Sequence, residues 1–226
     1  MAAQEASVAP AAPTAEQATP AQPGYDGIRA AVDGRLVPYA VWVELSPVLA
    51  TTPDGGGWVF FTARARGTEN ASSNRLYAAR FDPTSGDWLP AAPLPGGVTQ
   101  FGPAAVVDGD GDVHLVYSER QQDDPNAPSV LMHTVSRDGG AWEPARTVAP
   151  DPNAGAPVMA DLTIDRDGNL HAIWRDQRNG DPNVPIGRRE GDLYVSDFAG
   201  GAWSPPTRLT GATGQEFVAW PNLEAD

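Results

Sequence analysis

The chain has 226 residues, of which 41% are hydrophobic and seven are Trp, enough for a well-filled core. Its formal charge of -14, from 15 basic and 29 acidic residues, repels phosphate backbones and anionic lipid heads and argues against nucleic acid and membrane surfaces as partners. With no Cys there is no disulfide framework, thiolate metal site or protein-based redox chemistry, and 24 Gly with 23 Pro between short apolar runs point to an all-β chain.

Residues 1–23 hold nine Ala and four Pro, with no aromatic residue and no apolar run long enough for a signal-peptide core or membrane insertion. They read as a disordered linker. Such stretches separate exported domains from a leader or anchor, so a secreted, periplasmic or cell-surface location is expected, with the leader not present in this sequence. Asn70-Ala71-Ser72 is a formal glycosylation sequon. Residues 24–46, including VPYAVWVE from Val37, are expected to supply outer strands.

From there a unit of nearly sixty residues repeats. Asp-Gly turns recur at Asp54-Gly55, Asp110-Gly111 and Asp167-Gly168; four residues after each Asp stands Trp58, His114 or His171, and three further on an aromatic, Phe61, Tyr117 or Trp174. Short apolar segments opening at Pro47, Pro103 and Ala160 precede the turns, and the runs RLYAARF from Arg75, VLMHTV from Val130 and DLYVSDF from Asp192 follow. Each unit closes on a tryptophan: Trp88, Trp142 and Trp203. That gives four antiparallel strands per unit, in blades at about 47–102, 103–159 and 160–220, with a fourth begun at 221 by PNLEAD. Such units stack radially, so residues 24–226 read as a partial β-propeller whose missing blades come from the rest of a longer chain or from another chain.

In a four-stranded antiparallel blade, the connections between strands 2 and 3 and from strand 4 to the next strand 1 share one end. Here the 2-to-3 loops are long and charged, which makes that end the expected ligand face. Just past strand 2 stand Glu119-Arg120 in the second blade and Arg175, Asp176 and Arg178 in the third; the first has Arg64 and Arg66. Arg64, Glu119, Arg120, Arg175, Asp176 and Arg178 are therefore the candidate ligand-binding residues, because Arg reads carboxylates and sugar acids bidentately and paired carboxylates run glycoside hydrolysis. The competing reading is that charges repeated in successive blades tie down the loop starts of each.

Residues 108–112 begin like a calcium loop, with Glu119 at the twelfth position, but Val113 stands where such a loop needs Gly and the segment aligns with the hairpin turns of the other units. A turn is expected, with no metal and no cofactor. His114 and His171 recur where the first unit has Trp58, which points to packing, as do the closing tryptophans.

The third unit, LHAIWRDQRNGDPN followed by DLYVSDFAGGAWSPPTRLT, resembles the repeats of sialidase-like propellers. Ser136-Arg137-Asp138-Gly139-Gly140-Ala141-Trp142 resembles their Asp box with one residue deleted, between strands 3 and 4 where that box belongs. TPDGGGWVFFTARARG from Thr52 is similar to TolB-type repeats, which carry no active site. Both resemblances imply six blades. The sialidase resemblance implies an arginine triad, a Tyr/Glu nucleophile pair, an acid Asp and an Arg-Ile-Pro signature; no Arg-Ile-Pro occurs here, and no catalytic residue is assigned. Two functions follow as expectations: an exported module binding a glycan, cell-wall polymer or protein, or a glycoside hydrolase of the exo-sialidase type.

Overall fold

The computed structural model describes the backbone of residues 29–32 and 35–38 and, with side chains, residues 47–63, 74–97, 99–120, 127–148, 157–185, 189–210 and 223. Three antiparallel sheets follow one another as meanders. The first blade runs Val48–Thr51 (β3), Gly57–Ala63 (β4), Arg75–Asp82 (β5) and an outer strand in two pieces, Asp87–Trp88 (β6) and Ala92–Pro93 (β7). The second runs Thr99–Val107 (β8), Val113–Arg120 (β9), Val130–Ser136 (β10) and Arg146–Thr147 (β11); the third, Val158–Ile164 (β12), Leu170–Asp176 (β13), Asp192–Ala199 (β14), Ala202–Trp203 (β15) and Thr207–Arg208 (β16). A hairpin of Arg29–Val32 (β1) and Arg35–Pro38 (β2) lies beside β7. The inner strands β3, β8 and β12 adjoin in that order, the arrangement of a β-propeller. No helix occurs among the described residues, so none there is long and apolar enough to cross a membrane.

The Asp-Gly turns fold alike because each needs one left-handed residue. Gly55, Gly111 and Gly168 have φ of 83°, 87° and 83°, and the loops close through Thr52 N to Gly56 O, Asp108 N to Asp112 O and Asp165 N to Asn169 O. These are three-residue hairpin loops with glycine at the left-handed position. The Asp108 carboxylate accepts from Asp110 N (3.0 Å) and Asp112 N (2.9 Å), so residues 108–112 are a side-chain-braced turn.

Period-2 alternation gives each sheet two apolar faces. Trp58, Phe60, Leu76 and Ala78 of the first blade meet Val113, Leu115 and Tyr117 of the second, while Val116, Leu131 and Val148 meet Leu170, Ala172, Trp174 and Tyr194 of the third. Phe61, Tyr77 and Ala79 form a third buried cluster on the other face of the first blade. Fully buried side chains of this kind contribute about 1.5–3 kcal/mol each, so the seams between blades hold most of the core.

Two details depart from the sequence reading. The second blade's inner strand starts at Thr99 and runs through Pro103, with a bulge between Phe101 and Ala104; β12 bulges equivalently between Val158 and Asp161. Trp142 packs edge-on to Trp58 and Phe60, and Trp203 edge-on to His133, each closing tryptophan inserting against the blade before it. Trp88 does not share this environment: it is 45% exposed and packs on its own strand neighbour Phe81.

Candidate functional site

The loop end is built where β9 and β13 finish and β8 and β12 begin, with Thr99 opposite Arg120 and Val158 opposite Arg175. Counted from His114 and His171, Glu119 and Asp176 occupy the same place in consecutive blades, with Ala63 as the counterpart in the first. Arg64 lies outside the described residues.

Glu119 is buried at the seam between the first two blades. Gln100 Nε2 donates to its Oε2 (3.2 Å) and to Pro95 O (3.1 Å), while Gln100 Oε1 accepts from Leu76 N of the first blade (3.3 Å). Gly96 and Gly97 are glycines because a Cβ on either would collide with Glu119. Burial, followed by the Glu119 charge, pushes the Tyr117 phenol above its usual range. Arg120 leaves this seam and sets its guanidinium over the Phe101 ring, 4.9 Å from the centroid.

Asp176 is fully buried and engaged within its own loop. Oδ1 accepts from Arg178 N (2.9 Å), and Oδ2 from Arg178 Nη2 (2.6 Å) and Trp174 Nε1 (3.4 Å). The same Arg178 guanidinium covers the Tyr194 ring at 4.5 Å. Arg175 points to the other face of the sheet; its Nη2 donates to Arg189 O (2.6 Å), the carbonyl that also accepts from Gln177 Nε2 (2.8 Å), and burial lowers its pKa. The structure thus joins Asp176 with Arg178 and holds Glu119 through Gln100, with separate anchors for Arg120 and Arg175.

The sequence reading did not single out Gln100, Arg189, Asn179, Asp192 or Arg208. Asn179 Nδ2 donates to Asp192 Oδ2 (3.0 Å) and to Tyr194 Oη (2.9 Å), and Arg208 Nη2 pairs with Asp192 at 2.7 Å. Burial opposes the Asp192 charge, but the bonds from Arg208, Asn179 and Thr210 outweigh it and lower the pKa. Gln100 was accessible as the cross-strand partner of Glu119, had the start of β8 been placed at Thr99.

The opposite end carries the histidines. His114 Nε2 meets Asp108 Oδ2 (3.2 Å) and its Nδ1 meets His133 Nε2 (3.1 Å), whereas His171 stands between Asp165 (3.1 Å) and Asp197 (2.8 Å). His114 is packed in the seam as expected, while His171 serves a polar pair of carboxylates. Among the described residues no group of three or more His, Cys, Asp or Glu is gathered to hold a metal ion.

No protein-family model and no curated protein matches the chain. Solved structures do match in fold. An α-L-arabinanase from Penicillium chrysogenum complexed with arabinobiose is 15% identical with TM-score 0.57, covering 83% of this chain and 55% of that one. An ulvan lyase of a polysaccharide lyase family is 9% identical with TM-score 0.55, covering 74% and 44%. An α-L-arabinofuranosidase of Fusarium graminearum with arabinobiose is 12% identical with TM-score 0.53, covering 83% and 54%. The chain spans about half the length of these proteins.

Proposed function

We propose that this chain is part of an exported β-propeller that binds a carbohydrate at the loop end carrying Glu119, Arg120, Arg175, Asp176 and Arg178, with residues 1–23 as its linker. The observation that carries the reading is that the three fold neighbours differ in reaction, hydrolysis against lyase cleavage, and have a carbohydrate in common. Two arginines set over aromatic rings, Arg120 on Phe101 and Arg178 on Tyr194, bring guanidinium groups, the side chains that recognise sugar acids, to this end.

Binding is favoured over catalysis by the state of the two carboxylates. Asp176 has both oxygens committed to Arg178 and Trp174, and Glu119 is buried behind Gln100. An exo-sialidase type of hydrolase, the second reading, rests on the Asp-box resemblance at residues 136–142 and needs an acid that can exchange protons.

Titration of the chain against an array of neutral arabinans, uronate-containing polysaccharides and sialosides tests the proposal. Binding weakened at least tenfold by Arg120→Ala or Arg178→Ala supports it; absence of binding to every glycan, or binding indifferent to both substitutions, overturns it. Sialoside turnover lost in Asp176→Ala would favour the second reading.

A further inference from the structure

The seam between the second and third blades contains a chain of hydrogen bonds absent from the seam before it. The Trp203 indole N–H donates to His133 Nδ1 (3.3 Å), His133 Nε2 faces His114 Nδ1 (3.1 Å), and His114 Nε2 faces Asp108 Oδ2 (3.2 Å). Indole is a donor only, so His133 Nδ1 must be bare and its Nε2 protonated. His114 Nδ1 then accepts, and its own proton sits on Nε2, toward Asp108. The chain runs one way, from Trp203 to Asp108, and is complete only with both imidazoles neutral.

A third proton has no place in it. On His133 Nδ1 it confronts the indole N–H; on His114 Nδ1 it confronts the His133 Nε2 proton. Moving the bare nitrogen elsewhere relocates the conflict without removing it.

Around His133 the packed elements offer no compensating anion. β9 presents His114, β11 presents Arg146, and the third blade presents Phe198 and Trp203, both rings 5.1–5.4 Å from the imidazole. Asp108 is reached only through His114. Arg146 also crosses the seam to Gly201 O (3.2 Å). In the preceding seam, the corresponding tryptophan, Trp142, meets Trp58 and Phe60, neither of which titrates.

We propose that the seam between the second and third blades is a proton-sensitive latch, closed by the Trp203–His133–His114–Asp108 chain and opened by one additional proton, while the seam between the first and second blades, which has no imidazole chain, stays closed between pH 7.5 and pH 5. Burial, reinforced by His114 and Arg146, holds the His133 pKa down to about 3, in keeping with this arrangement. An opened seam returns His133 to water, where it binds a proton near pH 6.5, so opening grows by up to about tenfold for each pH unit below that value.

The test is amide hydrogen exchange of the full chain from pH 7.5 to pH 5, corrected for intrinsic rates and held above the carboxylate range. Protection across residues 198–208 is expected to fall about tenfold per unit below pH 6.5, with residues 57–61 and 75–80 holding theirs. Trp203→Phe, which keeps an aromatic ring but removes the N–H, and His133→Phe should both show a shallower fall. A flat wild-type profile, a parallel fall in both seams, or a Trp203→Phe profile as steep as wild type would overturn the proposal. Should either variant fail to fold, nitrogen-15 spectra of the wild-type imidazoles at pH 7.5 decide: both protons on Nε2 support the chain, and a proton on His133 Nδ1 refutes it.

Discussion

Gly102 and Met159 hold the same left-handed backbone, with φ of 63° and 55°, at equivalent bulges of β8 and β12. Glycine adopts that conformation freely, whereas for Met it costs roughly 1–2 kcal/mol, partly recovered through the lower entropy of the unfolded chain. Met159→Gly should therefore raise stability by about 0.5–1 kcal/mol. A urea midpoint that moves down instead would mean that the half-buried Met159 side chain contributes more packing than the bulge loses in strain.

The closing tryptophans should respond unequally. Trp142→Ala removes a half-buried ring packed on Trp58 and Phe60 and should cost about 2–3 kcal/mol, while Trp88→Ala at its exposed place should cost less than about 1 kcal/mol. Equal losses in denaturant unfolding would contradict the seam geometry.

Gly139 has φ of 67°, and a Cβ there would strike the Arg80 guanidinium, which donates to the Gly139 carbonyl from the neighbouring blade (3.2 Å). Gly139→Ala is expected to destabilise by about 1–3 kcal/mol, and pairing it with Arg80→Ala should recover the steric part but leave the backbone strain. A strictly additive double-mutant cycle would show that the two residues do not meet.

Asp176 and Arg178 form a pair closed to solvent on the carboxylate side. Asp176→Asn keeps the shape but leaves the guanidinium without its counter-charge, and a loss of about 2–4 kcal/mol is expected in thermal or urea unfolding. A near-neutral effect would assign Arg178 to another partner.

The pH dependence of stability should carry two opposed histidine contributions. His133 has its pKa lowered in the fold, so it adds stability above pH 6.5 that is lost as the pH falls from there toward 3. For His171, burial opposes protonation, but the bonds and charges of Asp197 and Asp165 outweigh it and raise the pKa; its contribution is present below pH 6.5 and disappears as the pH rises through the raised value. Thermal melts of His171→Asn should thus differ most from wild type on the acid side of pH 6.5, and those of His133→Phe should lose the acid-side slope.

The repeat made the strand order and the hairpins readable from residues, because a glycine at φ near 85° and an alternating apolar run are local requirements. The equivalence of Glu119 with Asp176 was readable for the same reason. What each carboxylate does was not: Glu119 is bound by Gln100, nineteen positions earlier, and Asp176 by Arg178 next door, so equal places acquired unequal partners. His133 escaped notice because the first blade has Ala78 and the third Val195 at its position; no repetition marked it, and its role comes from a tryptophan seventy residues later.

In the first and third blades the outermost strand comes in two short pieces separated by proline, Pro90 and Pro205 with Pro206, and in the second Pro144 separates an isolated bridge at Trp142 from β11. A pyrrolidine nitrogen has no hydrogen to lend, so the perimeter offers an incoming strand too few consecutive partners to zip onto. Lateral recruitment of foreign β-segments, the usual route to fibrils, is thereby discouraged at the circumference, and further sheets can be accommodated only by lying flat against a blade already in place.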